Sequence, residues 1–187
     1  AYNRRYYNSV IQLENKIKED GGALGCFFDF TDREKDIMNT TKSKAVIKRW
    51  GFANSSHVID TAFHLVGEPV ELCAWRSGTS FAGSGKTANS LFSYFATWGG
   101  GGRWNVEVST ALGRYKLSPM EELSFCRKNQ FAWEKLEPPD EDDRRYKPGL
   151  LKMVKSFLSD DKASQLPGIE EQIVFCGTIN KIFGYDQ

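Results

Sequence analysis

An apolar run, Ala23–Phe30, limits the fold of this sequence more than any other feature, because helical patterns lie on both sides of it. Before it, apolar residues recur at helical spacing over Tyr6–Ile17, and two glycines then end the helix. After it, Thr31–Glu34 has the form of a capping box, which predicts a helical stretch that continues to Trp50, with a break near Asn39–Thr41 left open. The run itself predicts a buried strand between the two helices.

The rest of the chain adds helical and strand patterns in no regular alternation, whereas a doubly wound sheet requires one. The sequence therefore predicts an α+β fold, a single compact domain with several amphipathic helices packed on a small, mostly antiparallel sheet. A second capping box, with proline at the first helical position, is predicted at Ser118–Glu121. Helices are predicted at His57–Val66, Ala88–Trp98 and Leu150–Leu158, and strands at Val70–Trp75, Trp104–Thr110 and Gln172–Ile179.

A length of 187 residues fits one domain whose core is large enough to fold without disulfides or bound metals. We expect a single domain over 1–187 with three subregions. These are an N-terminal helix or arm at 1–22, a strand–helix–helix unit at 23–67, and a mixed remainder at 68–187 that contains an acidic loop at 137–149.

Charge and cysteine usage exclude several classes of protein. The net charge is +1, so no overall field marks a nucleic-acid or membrane binder. The four cysteines form no C-x-x-C pair, which argues against zinc ribbons and thioredoxin-type chemistry, and leaves buried thiols or two disulfides open. No apolar stretch is long enough to span a bilayer, and no secretory signal is recognisable. We expect a soluble protein, cytoplasmic or otherwise intracellular, without membrane contact.

A glycine-rich segment, Ser80–Thr87, resembles a Walker A phosphate-binding loop. In such loops, glycines let backbone amides surround the phosphates, a lysine meets their charge and a hydroxyl binds magnesium. The resemblance implies an ATP or GTP site with Mg²⁺. The alternative to a phosphate site is a flexible glycine-serine loop that caps the following helix. The residues concerned are Gly83, Ser84, Gly85, Lys86 and Thr87.

A strand, a capped helix and the turn Trp50–Ser56 are followed by the helix that begins at His57. With this order of elements, the segment 26–66 resembles a ribbon–helix–helix DNA-binding module. The resemblance implies an obligate dimer whose paired strands enter the major groove, with the second helix of each copy holding phosphate at its N-terminus. The alternative is a buried strand and a helical hairpin that belong to the general core. The residues that fit the pattern of the second helix are Gly51, Phe52, Ser56, Val58, Ile59 and Ala62.

Positive charge accumulates directly before that second helix. Residues 42–49 contain four basic side chains and no acidic one. Together with a helix N-terminus, such a cluster predicts phosphate contacts and a steep dependence of binding on salt. The predicted nucleic-acid contacts are Lys42, Lys44, Lys48, Arg49, Asn54, Ser55 and Ser56. Arg103-Trp104 adds a basic–aromatic pair of the kind that single-stranded nucleic acids use.

Catalytic and metal-binding patterns are weak. His57, Asp60 and His64 share one helical face and could bind a metal, but no ligand from elsewhere in the chain is specified and solvated histidines explain the pattern better. We therefore assign no catalytic residue and no metal site.

The preferred interpretation is a non-catalytic nucleic-acid-binding protein without a cofactor that self-associates as a homodimer or larger oligomer. Two alternatives stay open. One is a P-loop-like nucleotide-binding enzyme. The other is a structural or assembly protein, such as a viral or scaffold subunit.

Overall fold

One eight-stranded sheet organises the chain in the computed structural model, which describes residues 2–136, 141–159 and 166–185. The strands lie in the order β2-β3-β4-β1-β5-β6-β7-β8. β1 pairs with β4 in parallel, and all other neighbours are antiparallel. The strands are β1 (Gly25–Asp29), β2 (Glu71–Ser77), β3 (Ser80–Lys86), β4 (Leu91–Thr97), β5 (Asn105–Ser109), β6 (Gly113–Leu117), β7 (Leu123–Arg127) and β8 (Glu134–Lys135).

Helices α1, α4 and α7 pack along the sheet, with α7 near β2 and β3, α4 over β1 and β5, and α1 near β6 and β7. A 3₁₀ helix, Asn3–Tyr6, precedes α1, and a π-helical turn, Gly51–Ser55, leads directly into α4. The α-helices are α1 (Asn8–Glu19), α2 (Glu34–Met38), α3 (Lys44–Lys48), α4 (Ser56–Val66), α5 (Glu141–Arg145), α6 (Leu150–Leu158) and α7 (Ile169–Phe183).

Alternating burial along the strands shows which face of the sheet holds the core. In β1 and β4, Cys26, Phe28, Phe92 and Tyr94 are buried, and their neighbours along each strand are more exposed. Because successive strand residues point to opposite faces, one face lies beneath the helices and the other stays open. The predicted α+β class with a mostly antiparallel sheet is therefore confirmed, although eight strands are more than the small sheet we expected.

Two predicted elements have the wrong type. The helix predicted at Ala88–Trp98 is strand β4, whose burial alternates with period two. The strand predicted at Gln172–Ile179 lies inside α7, where the buried residues Phe175, Thr178, Ile179 and Ile182 follow helical spacing. β-branched residues favour strands only as a weak prior, and packing has overridden it here.

Both predicted capping boxes are also wrong. α2 begins at Glu34 after Arg33, which makes no side-chain cap, and the Thr31 hydroxyl instead accepts a hydrogen bond from the Thr97 amide at 3.1 Å. Around Ser118–Glu121 the chain turns between β6 and β7 and forms no helix.

The ribbon–helix–helix resemblance fails because β1 lies inside the sheet. β1 bonds to β4 on one side and to β5 on the other, so it has no free edge with which to form a ribbon. α4 also has no free N-terminus, since the Ser56 amide donates to the Gly51 carbonyl.

The Walker A resemblance fails because residues 80–86 form strand β3 between β2 and β4. A Cβ at Gly83 would collide with the Tyr94 ring, so close packing requires this glycine. Lys86 pairs with Glu71 at 2.6 Å, and the buried Thr87 hydroxyl accepts hydrogen bonds from the Asn89 and Ser90 amides. No phosphate cradle exists here.

Three smaller expectations have mixed outcomes. Of the acidic loop predicted at 137–149, residues 137–140 lie outside the described residues and Glu141–Arg145 is the short helix α5. Cys26 is buried, Cys73 and Cys176 are exposed, and none of the four cysteines is in a disulfide. Within the described ranges, no helix is long and apolar enough to cross a membrane.

Candidate functional site

Polar and aromatic side chains meet at the end of the sheet where β1 and β4 finish and β5 begins. Asp32 follows β1, and the glycine-rich connection from β4 to β5 ends at Arg103 and Trp104. The π-helical turn approaches the same place from the helical layer, since Trp50 and Asn54 bond to Asp32.

Asp32 is the centre of this cluster. Its Oδ2 accepts hydrogen bonds from Trp50 Nε1 at 2.9 Å, from Asn54 Nδ2 at 3.1 Å and from the Ser55 hydroxyl at 3.4 Å. Its Oδ1 receives a longer contact from Asn54 Nδ2 at 3.4 Å. Oδ2 therefore carries the close hydrogen bonds, and Oδ1 retains more capacity to accept another donor.

Burial raises the pKa of the Asp32 carboxyl group above its usual value. Hydrogen bonds from Trp50, Asn54, Ser55 and Trp104 oppose the shift, because they favour the charged form. A partly buried carboxyl group with a raised pKa, at the edge of a cavity, is characteristic of groups that move protons.

A cavity of about 450 Å³ opens beside Asp32. Its wall combines two indoles, an amide, hydroxyls and charged groups of both signs. Of these, Arg33 and Asp36 pair with each other at 2.6 Å. The lining residues are Thr31, Asp32, Arg33, Asp36, Ile37, Thr40, Trp50, Asn54, Gly102, Arg103 and Trp104.

Close packing holds the π-helical turn in place. A Cβ on Gly51 would collide with the Phe183 ring, and the Gly51 amide donates to the Tyr185 hydroxyl at 2.9 Å. The turn is thus fixed against the end of α7. π-helical insertions of this kind occur frequently at functional sites.

The 3₁₀ helix is anchored to α4 by an ion pair between Arg5 and Asp60. Arg5 Nη2 lies 2.6 Å from Asp60 Oδ1, and Arg5 Nε lies 2.9 Å from Oδ2. The neighbouring Arg4 places its guanidinium over the Trp104 ring, 4.6 Å from the centroid. The ion pair therefore positions Arg4 at the rim of the cavity.

The side chains on the histidine–aspartate face of α4 contact other residues of the protein. Asp60 is engaged by Arg5, the His57 ring packs edge-on against Tyr2, and His64 lies 3.7 Å from Glu14. Burial lowers the pKa of both histidines to about 4, and nearby arginines add to the effect. Among the described residues, no cluster of three His, Cys, Asp or Glu could hold a metal ion.

The residues predicted to bind nucleic acid do not form one surface. Lys42, Lys44, Lys48 and Arg49 are exposed, whereas Ser55 and Ser56 are buried. The Ser56 hydroxyl donates to the Phe52 carbonyl at 2.9 Å. Asn54 and Ser55 do reach the cavity region, but they donate to a carboxylate, where a phosphate would be repelled.

Sequence reasoning missed most of the site. Asp32 lay inside the supposed capping box, and Arg4 lay in the supposed N-terminal arm. The Arg103-Trp104 pair was predicted as a contact for single-stranded nucleic acid, whereas in the structure both residues line the cavity beside Asp32. A single aspartate between a buried strand and a helix gave no pattern that distinguishes a site residue from a cap.

Comparisons with known proteins show a fold relationship over the whole chain. The dehydrogenase MviM from Clostridium difficile superimposes with a TM-score of 0.67 at 15% identity, covering 99% of this chain and 61% of its own. A Gfo/Idh/MocA family oxidoreductase from Vibrio cholerae gives 0.65 at 15%, covering 100% and 60%. A super-repressor mutant of Gal80p from Saccharomyces cerevisiae gives 0.67 at 11%, covering 98% and 61%.

These similarities concern the fold alone, and the chain spans about three fifths of the length of these proteins. No protein-family model matches the sequence. No curated protein matches it either.

The comparisons overturn the functional interpretation made from the sequence. Nucleic-acid binding is wrong, and the viral or scaffold alternative has no support, because the neighbours include dehydrogenases and oxidoreductases. The expectation of no cofactor is also wrong on this comparison, since dehydrogenases depend on a hydride-carrying cofactor. The ATP or GTP alternative fails with the Walker A resemblance.

Proposed function

We propose that the protein binds a hydroxyl-bearing substrate, a sugar or polyol, beside Asp32, and that it supplies the substrate-binding part of an oxidoreductase that uses a nicotinamide cofactor. One observation carries the proposal: a partly buried aspartate with a raised pKa borders a cavity walled by Trp50 and Trp104. The dehydrogenase and oxidoreductase neighbours support the reaction class.

The lining of the cavity suits a polyhydroxylated ligand. Carboxylate and amide groups bond to hydroxyls, and indole faces pack against the apolar C–H surface of a sugar ring. Sites for small ligands fix their orientation with well-placed polar groups, and most of the residues that line this cavity are polar. The less occupied Oδ1 of Asp32 is the atom we expect to accept a substrate hydroxyl.

The described residues do not fit a dinucleotide on their own. A dinucleotide-binding unit places the pyrophosphate where a glycine-rich turn joins a strand of a parallel sheet to a helix. Within the described ranges, only β1 and β4 are parallel, and neither leads through a glycine-rich turn into a helix. We therefore assign the cofactor to a part of the protein outside these residues and derive no step through it.

The role of Asp32 in this proposal is to hold the substrate proton. Oxidation of an alcohol requires the hydroxyl to lose a proton, and a carboxylate within hydrogen-bond reach can accept it. The raised pKa of Asp32 brings the carboxylate closer to a hydroxyl in basicity than an exposed aspartate would be. Trp50, Asn54 and Ser55 keep the carboxylate in a fixed orientation.

An Asp32→Asn variant tests the proposal. Glucose, myo-inositol and gluconate would be titrated into the full-length protein by calorimetry, and oxidation would be followed with NAD⁺ or NADP⁺. We expect Asp32→Asn to weaken binding of the best ligand about tenfold or more, because a charge-assisted hydrogen bond contributes about 1.5–3 kcal/mol. Turnover should fall further still, because the amide cannot accept the proton.

An exposed carboxylate elsewhere provides the control. Glu134→Gln on β8 removes one negative charge from an exposed position and should leave binding and turnover unchanged. The proposal fails if Asp32→Asn binds and oxidises its ligand as wild type does, or if wild type binds none of the ligands tested.

A further inference from the structure

Two consecutive arginines on the 3₁₀ helix have opposite environments. Arg5 forms a two-point ion pair with Asp60. Arg4 is also partly buried, yet none of the described residues forms a hydrogen bond or ion pair with its guanidinium. The guanidinium instead lies over two aromatic rings, 4.6 Å from the centroid of Trp104 and 6.0 Å from that of Tyr7. Burial lowers the pKa of Arg4, although the group stays charged.

Arg4 lines a second cavity that adjoins the first. This cavity of about 180 Å³ is bounded by Arg4, Arg103, Trp104, Pro119, Met120 and Glu121. It shares Arg103 and Trp104 with the cavity beside Asp32, so the two cavities adjoin, and we call them together the groove. The exposed Arg103 likewise has no hydrogen-bond or ion-pair partner among the described residues. The groove therefore has the Asp32 carboxylate at one end and the Arg4 guanidinium at the other, and Glu121 also lines the second end.

An arginine in this environment is well placed to bind an oxyanion. Stacking on an indole holds the guanidinium plane and leaves its edge N–H groups free to bond in the fork geometry that matches carboxylate or phosphate. A partly buried charge without hydrogen bonds is costly, and an anionic ligand would remove that cost. Glu121 is the carboxylate that acts electrostatically on Arg4 most strongly, but it forms no ion pair with it.

We propose that Arg4, stacked on Trp104 and assisted by Arg103, is an anion subsite that selects substrates carrying a carboxylate or phosphate group. The inference rests on the proposed function and narrows it, since the hydroxylated part of the ligand would lie beside Asp32 and its anionic group beside Arg4. A sugar acid or a sugar phosphate has both features. A neutral sugar has only the first.

Calorimetry with three related ligands tests this subsite in the full chain. The ligands are glucose, glucuronate and glucose 6-phosphate, which separate neutral, carboxylate and phosphate forms of one scaffold. We expect at least one charged ligand to bind tenfold or more tightly than glucose, and its affinity to fall as salt increases. Arg4→Gln should reduce the affinity for that ligand to the level of glucose and leave glucose binding unchanged.

Two further variants make the result specific. Arg4→Lys keeps the charge without the planar fork, so it should retain part of the preference. Lys128→Gln removes an exposed positive charge near the opposite end of β7 and should change neither affinity. Thermal unfolding of each variant establishes that it is folded before binding is compared.

The outcomes separate this inference from the proposed function. If wild type binds glucose and both charged ligands equally, or if Arg4→Gln keeps the preference for a charged ligand, the anion subsite is overturned while sugar binding beside Asp32 stands. If wild type binds none of the three, both proposals are overturned. Loss of glucose binding in Asp32→Asn alone supports the proposed function without the subsite.

Discussion

The ion pair between Arg5 and Asp60 should be the most costly polar interaction to break in this fold. The Asp60 side chain is fully buried and that of Arg5 is 13% exposed. Burial raises the pKa of Asp60 even though Arg5 opposes the shift, so the pair balances a large desolvation cost. Removal of one partner from such a pair typically costs about 3–5 kcal/mol, because the other charge stays buried without compensation.

Arg5→Met and Asp60→Leu would be compared singly and together by urea unfolding. A loss of about 3–5 kcal/mol is a large part of the roughly 5–15 kcal/mol that stabilises a typical domain. In a chain of this size it corresponds to a fall in melting temperature of roughly 6–20 °C. The double variant should recover most of the loss, since no buried charge remains.

A second readout connects the pair to the site. The ion pair anchors the turn that carries Arg4, so the folded double variant should bind charged ligands more weakly while it stays stable. Single variants that lose less than about 1 kcal/mol would refute the reasoning, because such values are typical of solvated surface pairs.

Two other predictions concern pH and self-association. The pKa values of His57 and His64 are lowered to about 4, so their stabilising contribution is complete above about pH 6.5 and is lost as pH falls through 4. Unfolding free energy should drop in this interval by up to about 3 kcal/mol per histidine, and a variant with glutamine at both positions should lose most of that slope in chemical denaturation. Self-association stays a prediction, and we expect it on the open sheet face, where Trp75 is 60% and Phe95 is 51% exposed. With strands about 4.8 Å apart the face measures roughly 40 by 20 Å, close to the roughly 800 Å² per partner of a standard interface. Lysine at Trp75 and Phe95 should convert a dimer to a monomer by light scattering, and a monomeric wild type would contradict the prediction.

The sequence predicted the elements whose patterns are local. α1, α6, β1, β2 and β5 lie where spacing or alternation indicated them, because periodicity reports directly which side of an element is buried. β4 was missed although its burial alternates, because its exposed positions include Leu91 and Phe95 on the open face. Large apolar residues on both sides hide the period of two.

The site could not be predicted because it depends on contacts distant in sequence. Asp32 meets Trp50 and Asn54 only after the chain has folded back through α2 and α3. Arg4 meets Trp104 across a separation of one hundred residues. The glycines at 83 and 85 suggested a phosphate-binding loop. In the structure both allow close packing between strands, a role that also requires glycine and so looks the same in the sequence.

The most direct test of the account is a crystal structure of the protein with a sugar acid bound. We predict that a ligand hydroxyl lies within hydrogen-bond distance of Asp32 Oδ1, that the ring rests against Trp104, and that the carboxylate meets the Arg4 guanidinium. A ligand bound elsewhere, with the groove between Asp32 and Arg4 empty, would contradict it.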